Sequence, residues 1–258
     1  MWDLATGACT WVMTGHDEDV RGVSASADGR TAATCSFDKS VRVWNLESGT
    51  EMNRMDGHSD KVFGVSMAGN GSKVVSCSWD MSVRVWDTGT GKALGPPMQP
   101  PSGMGIGLQQ PGSTGSITSV TSVTAPQSTR MLKGHEKEVL AVAVTSDGSR
   151  AVSGSVDGTV RVWEVSTGEQ LSKCEGHTDW VMGVAVTPNG SLAASCGRDA
   201  TVRLWTFSGA EVAIIKLKTE VICVALAADG SRLVVEQGKQ VWVLDAQKKK
   251  LIKAMSKH

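Results

Sequence analysis

Residues 134–163 read Gly-His-Glu-Lys-Glu-Val-Leu-Ala-Val-Ala-Val-Thr-Ser-Asp-Gly-Ser-Arg-Ala-Val-Ser-Gly-Ser-Val-Asp-Gly-Thr-Val-Arg-Val-Trp. The closing Val160-Arg161-Val162-Trp163 alternates apolar and polar residues and is rich in β-branched types, the period-two pattern of a strand. Ser146-Asp147-Gly148 supplies the positive-φ residue of a hairpin turn. The same text recurs along the chain. Gly-His returns with its histidine at 16, 58, 135 and 177, spaced 42, 77 and 42. Six of the nine tryptophans share one context, at 2, 44, 86, 163, 205 and 242, spaced 42, 42, 77, 42 and 37. The period is therefore 42, with one insertion of 77 − 42 = 35 residues and one shortened last unit.

Each unit reads as four antiparallel strands. Val41-Arg42-Val43-Trp44, Val83-Arg84-Val85-Trp86 and Val202-Arg203-Leu204-Trp205 repeat the strand that ends in Trp163. Ala27-Asp28-Gly29, Pro188-Asn189-Gly190 and Ala228-Asp229-Gly230 repeat the hairpin turn, and Gly49, Gly91, Gly168 and Gly209 mark a second turn after each Trp strand. The order is an outer strand, Gly-His, an inner strand, the Asp-Gly turn, a middle strand, an Asp turn and the Trp strand. A period in the low forties carrying Gly-His and Trp-Asp markers is the signature of a propeller blade. The chain resembles the WD-repeat β-propeller family over nearly all of its length except residues 95–129.

The resemblance implies an all-β fold, a propeller of four-stranded antiparallel blades. It has five complete blades, the last outer strand near residues 251–255, and a half blade made by Met1-Trp2-Asp3 and residues 8–14. The total is 2 + 20 = 22 strands. Propellers close by sharing a blade between the termini, which removes open edges. Here that blade lacks its two inner strands, so the chain reads as an incomplete propeller or part of a longer one, and open edges predict self-association. One propeller domain thus comprises repeats over 1–94, an insertion over 95–129 and repeats over 130–258, the last degenerate. The insertion holds six of the seven prolines and no charged residue. It reads as a flexible Pro/Gly/Ser/Thr-rich loop between a Trp strand and the next outer strand.

Four units also carry an Asp six residues before the Trp, always 22 residues after the His, with a hydroxyl four residues before that Asp. The sets are His16, Thr34, Asp38, Trp44; His58, Ser76, Asp80, Trp86; His135, Ser153, Asp157, Trp163; and His177, Ser195, Asp199, Trp205. Ser, His and Asp together invite the reading of a hydrolase triad. A triad is needed once, whereas this set occurs four times at one spacing. The resemblance implies a buried hydrogen-bonded tetrad in which the imidazole bridges Asp and hydroxyl and the hydroxyl meets the indole. The fifth unit has Lys218-Thr219-Glu220 in place of Gly-His and lacks the Asp, so its blade is expected to be softer.

Composition excludes several classes. Lys plus Arg and Asp plus Glu are both 26, a net charge of 0, which removes the basic field of a charge-driven nucleic-acid binder. The longest apolar run, residues 221–228, is far short of a membrane-spanning helix. The N-terminus has no basic start and no apolar core, so it does not read as a secretory signal. Six cysteines without a Cys-x-x-Cys pair argue against zinc and for reduced thiols inside a cell, in the cytoplasm or nucleus. Cys35, Cys77 and Cys196 precede the tetrad Asp by three residues and read as small residues tucked into a middle strand. The C-terminal Lys248, Lys249, Lys250, Lys253 and Lys257 read as a solvated strand face.

No metal-spaced histidine pair, phosphate loop or unique carboxylate pair stands outside the repeat, so neither cofactor nor metal nor catalytic residue is expected. The expected role is a non-enzymatic scaffold or adaptor for protein or peptide partners on the Gly-His face. A ligand-sensing module of a larger signalling or ATPase protein, and a propeller enzyme, are the alternatives. In related propellers the channel rim is lined by two inner-strand residues that flank a buried valine, and by the residue before the tetrad Asp. Those places are Asp19, Arg21 and Phe37; Lys61, Phe63 and Trp79; Glu138, Leu140 and Val156; and Trp180, Met182 and Arg198. Their aromatic and Arg content suits a protein interface, and their mixed charge suits a peptide over a polyanion.

Overall fold

The structure is a computed structural model that describes residues 9, 12–94, 130–237, 240–246 and 250–256. Twenty strands form five four-stranded antiparallel sheets. The first runs β1 (Val20–Ala25), β2 (Thr31–Ser36), β3 (Val41–Asn45), β4 (Glu51–Met55), from inner to outer edge. The second is β5 (Val62–Met67), β6 (Lys73–Ser78), β7 (Val83–Asp87), β8 (Arg130–Leu132). The third is β9 (Val139–Val144), β10 (Arg150–Ser155), β11 (Thr159–Glu164), β12 (Gln170–Glu175), and the fourth β13 (Val181–Val186), β14 (Ala193–Gly197), β15 (Thr201–Trp205), β16 (Glu211–Lys216). The fifth is β17 (Val224–Leu226), β18 (Arg232–Gln237), β19 (Gln240–Asp245), β20 (Lys250–Ser256). The family resemblance and the propeller-blade fold class are thus matched by the sheets. The half blade falls mostly outside the described residues, and residues 12–14 are not in a strand.

The core lies between blades rather than within them. Each of the four buried clusters draws on two successive blades. Val41, Val43 and Met55 of the first blade pack with Val62, Val65 and Trp86 of the second, and the pattern repeats to the pairing of Leu204 and Ile215 with Leu233 and Leu244. A β-sheet with one apolar face must bury it on another element, and stacking blades side by side satisfies that need repeat by repeat. The inner strands β1, β5, β9, β13 and β17 succeed one another, and among the described residues β17 does not return to pack on β1.

This arrangement corrects one expectation. The valine that opens the inner strand is fully buried at Val62, Val139 and Val181, but Val20 is 53% exposed and Val23 71%. Burial at this position comes from the preceding blade, and no blade before the first is described.

Residues 95–129 lie outside the described residues, between the Trp strand β7 (Val83–Asp87) and the outer strand β8 (Arg130–Leu132). In the other blades that strand carries a β-bulge. Trp44 pairs with Glu51 and Val43 with Asn53, leaving Met52 unpaired, and Leu171 and Val212 take the same place in the third and fourth blades. In the second blade Trp86 pairs with Ala93 and Val85 with Arg130. Leu94 is thus the counterpart of the bulged residue, and the 35 extra residues follow it in sequence.

Small residues allow the inner and middle strands to approach. A Cβ on Gly22, Gly64 or Gly183 would stand 2.9, 2.9 or 3.0 Å from the sulfur of Cys35, Cys77 or Cys196. In the third blade the roles reverse, with Ala141 opposite Gly154. The buried thiols are unpaired in disulfide terms, and burial pushes Cys35 up to about 12, which keeps it protonated.

Candidate functional site

Two groups of side chains stand out on the Gly-His face, one buried and one on the rim. The buried group is the repeated polar set. In the second blade His58 Nδ1 lies 2.8 Å from Asp80 Oδ2, His58 Nε2 lies 2.7 Å from Ser76 Oγ, and the Trp86 indole N–H donates to the same Oγ at 2.8 Å. The third blade repeats this with 2.9, 2.7 and 2.8 Å for His135–Asp157, His135–Ser153 and Trp163–Ser153. The fourth gives 2.8 Å for His177–Asp199, His177–Ser195 and Trp205–Ser195. The first gives 2.8 Å for His16–Asp38, His16–Thr34 and Trp44–Thr34.

One proton arrangement satisfies every atom. A neutral imidazole donates from Nδ1 to the carboxylate, the hydroxyl donates to Nε2, and the hydroxyl oxygen accepts the indole proton. The electrostatics agree with it. Burial lowers the pKa of His58, His135 and His177 against the opposing pull of their Asp partners. Burial also opposes ionisation of Asp80 and Asp157, but hydrogen bonds from the histidines and nearby hydroxyls outweigh it and hold both below the usual carboxylate range.

A second hydroxyl belongs to each set. Ser40, Ser82, Thr159 and Thr201 donate to the Oδ1 of Asp38, Asp80, Asp157 and Asp199 at 2.7, 2.6, 2.6 and 2.8 Å. Sequence reasoning missed these, although a Ser or Thr two residues after each Asp was there to be found. The Ser–His–Asp order matches that of a hydrolase triad, but the environment does not suit attack. Ser76, Ser153 and Ser195 are fully buried, and the indole proton is bonded to one of the two lone pairs of each hydroxyl oxygen.

The rim group follows from one backbone device. The residue before each tetrad Asp donates its N–H to the carbonyl of the residue that precedes the inner-strand valine. The pairs are Phe37 to Asp19, Trp79 to Lys61, Val156 to Glu138 and Arg198 to Trp180, at 3.0, 3.1, 3.0 and 3.0 Å. Each blade therefore presents two residues side by side on the rim.

Across the first and second blades these pairs meet. Phe63 stacks on Trp79 with centroids 5.0 Å apart and planes at 15°, and Phe37 lies 5.2 Å from Phe63 and 6.5 Å from Trp79. Arg21 stands over Phe37 and Phe63 at 5.3 and 5.4 Å, and Lys61 over Phe37 and Trp79 at 4.5 and 5.5 Å. In the fourth blade Arg198 lies over Trp180 at 4.1 Å and reaches Glu220 at 3.5 Å. Trp79 and Trp180 are each 37% exposed, and Asp19 is exposed beside the first group. Met182 is half-buried on the fourth blade, as are Glu138, Leu140 and Val156 on the third. No ring or ion-pair contact joins these four to either aromatic group among the described residues.

A cleft of about 220 Å³ opens between the third and fourth blades, lined by Lys137, Val156, Asp157, His177 and Trp180 among others. Its volume is below the ~300–1,000 Å³ usual for small-molecule pockets. Among the described residues no cluster of His, Cys, Asp or Glu is placed to hold a metal ion, and no helix is long and apolar enough to cross a membrane.

The fifth blade differs. The Trp242 indole donates to Gln240 of its own strand at 2.9 Å, Trp242 is only half-buried, and the inner strand β17 has three residues. Comparison with known proteins divides the chain in the same way. The family model described as WD domain, G-beta repeat matches residues 7–45, 49–87, 126–164 and 168–206. Those four segments hold the four Trp-strand tetrads, and the chain belongs to the WD40 repeat family.

Proposed function

We propose that the chain is a non-enzymatic scaffold or adaptor inside the cell that binds protein or peptide segments across the Gly-His face. WD40 repeats generally mediate contacts between proteins. The observation that carries the reading is the rim cluster of Phe37, Phe63 and Trp79 under Arg21 and Lys61. Aromatic and Arg side chains dominate interface energies, and here they are preassembled with little rotamer freedom left to lose. On this reading the tetrads hold each Gly-His loop to its Trp strand and do no chemistry.

The test is a pulldown with the full chain, with Trp79→Ala and Trp180→Ala singly and together, and with cross-linking to map the contact. Each substitution leaves the fold intact and costs about 1–4 kcal/mol of binding. An unchanged partner list and cross-link map in the double variant moves the interface off this face. A second contact follows from Val20 and Val23, whose exposure favours self-association through the first blade. Val23→Lys should then reduce the oligomer fraction in sedimentation velocity, and an equally associated variant removes that contact.

A further inference from the structure

The two rim tryptophans sit in opposite electrostatic settings. At Trp180 the charge is closed, because Arg198 is shared between the indole face and the Glu220 carboxylate. At Trp79 it is open. The Arg21 guanidinium and the Lys61 ammonium stand over ring faces, and no carboxylate oxygen of the described residues lies within 4.0 Å of either cationic group. Nearby carboxylates are engaged elsewhere. Asp38 is bound by His16 and Ser40, Asp80 by His58 and Ser82, and Asp60 accepts the backbone N–H of Lys61 at 2.8 Å. Asp17, Glu18 and Asp19 are exposed on the approach to β1.

We infer that Arg21 and Lys61 form a receptor for one carboxylate of an acidic residue in a partner peptide, with the Phe37–Phe63–Trp79 group taking the apolar side chain beside it. This rests on the reading that partners bind at this rim. The ring faces strip water from one side of each cation and restrict its rotamers, so little order remains to be imposed when a carboxylate arrives. Both cations stand over the Phe37 ring, at 5.3 and 4.5 Å from its centroid, and a carboxylate arriving there can take charge-assisted hydrogen bonds from them. The three exposed acids beside the receptor repel a repeating polyanion, so the ligand is an isolated acid next to an apolar residue. The fourth blade, already neutralised by Glu220, receives an uncharged part of the same peptide.

The experiment selects random peptides displayed on phage against the immobilised full chain. Parallel selections use Arg21→Gln with Lys61→Gln, and Trp79→Ala with Trp180→Ala, each first checked for an unchanged thermal transition. Peptides enriched on the wild type carry Asp or Glu next to an apolar residue. An enriched peptide binds about tenfold or more weakly to the charge variant. Its own Glu→Gln form binds the wild type equally weakly and loses nothing further on the charge variant. Enriched peptides without an acidic residue, or equal affinity for wild type and charge variant, overturn the inference and leave the rim as the binding face. Failure to enrich, or enrichment indifferent to loss of both tryptophans, overturns the rim reading and the inference with it.

Discussion

Ser153→Ala separates the hydrogen bonds of a tetrad from its packing. Ser153 is fully buried in β10, its Oγ accepts the Trp163 indole proton at 2.8 Å, and it lies 2.7 Å from His135 Nε2. The substitution deletes one atom, so the cavity term is small beside that of a large-to-small core change. What remains is the stranding of two buried groups, the indole N–H and the imidazole Nε2. At about 1–3 kcal/mol for each group left without a partner, the loss is about 2–6 kcal/mol. A domain of this size shifts its melting point by roughly 2–4 °C per kcal/mol, so Tm falls by roughly 4–24 °C. Calorimetry reads the shift, and native-state hydrogen exchange locates it on β10 and β11. A Tm unchanged within about 2 °C, well under the predicted shift, refutes the structural account. If that variant also lost a hydrolase activity present in the wild type, such as cleavage of p-nitrophenyl acetate, Ser153 would be a nucleophile after all.

Three further outcomes follow from the same geometry. Because burial holds the folded-state pKa values of His58, His135 and His177 below the ordinary histidine value of about 6.5, the unfolded chain binds more protons as pH falls through that region, so stability present above about 6.5 is lost below it, with a slope of up to about 1.4 kcal/mol per pH unit per histidine. The lowered Asp80 and Asp157 add a second loss below about 3.8, and a Tm flat from pH 7 to 5 contradicts the first step. In the first, third and fourth blades Arg42, Arg161 and Arg203 are held by Glu51, Gln170 and Glu211, whereas in the second blade Ala93 takes that place opposite the Trp, and Arg84, like Arg42, keeps a buried, unbonded Nε. Ala93→Glu should raise stability by about 1 kcal/mol, and a lower Tm would show that Ala93 is needed for packing. Joining Leu94 directly to Arg130 restores the bulge spacing of the other blades. The variant stays soluble and gains up to about 3 kcal/mol from the shorter loop, while insolubility would mean that the removed residues pack.

Features set by local spacing were legible before any coordinates. Gly-His, the Asp and the Trp keep fixed offsets because one blade must place them in one network, so their register appears as arithmetic. Features that depend on a neighbouring blade were not legible. Val20 reads like Val62 in sequence, and only the absence of a described preceding blade separates them. The meeting of Phe37 with Phe63 and Trp79 likewise belongs to the angle between two blades, which leaves no trace in either repeat. The length and the bounds of the insertion followed from the period and the composition, but its coincidence with a bulge did not. A bulge breaks the alternation by which a strand is read, and the exposed Met52, Leu171 and Val212 looked like ordinary strand residues.

The bulge gives the molecule a modular port. In the second blade 35 residues enter the outer strand while the pairings on both sides, Trp86 with Ala93 and Val85 with Arg130, keep the register of their counterparts. The counterparts Met52, Leu171 and Val212 make no ladder pair and face outward, whereas Leu94 is partly buried against the core between the second and third blades. A gene can therefore lengthen the chain at that step without renegotiating the repeat, and the first, third and fourth blades each keep an unused copy of the same socket. Grafted epitopes, reporter tags or whole domains would project there from the circumference, away from the channel rim, which makes the outer strand the natural axis of diversification for this chain.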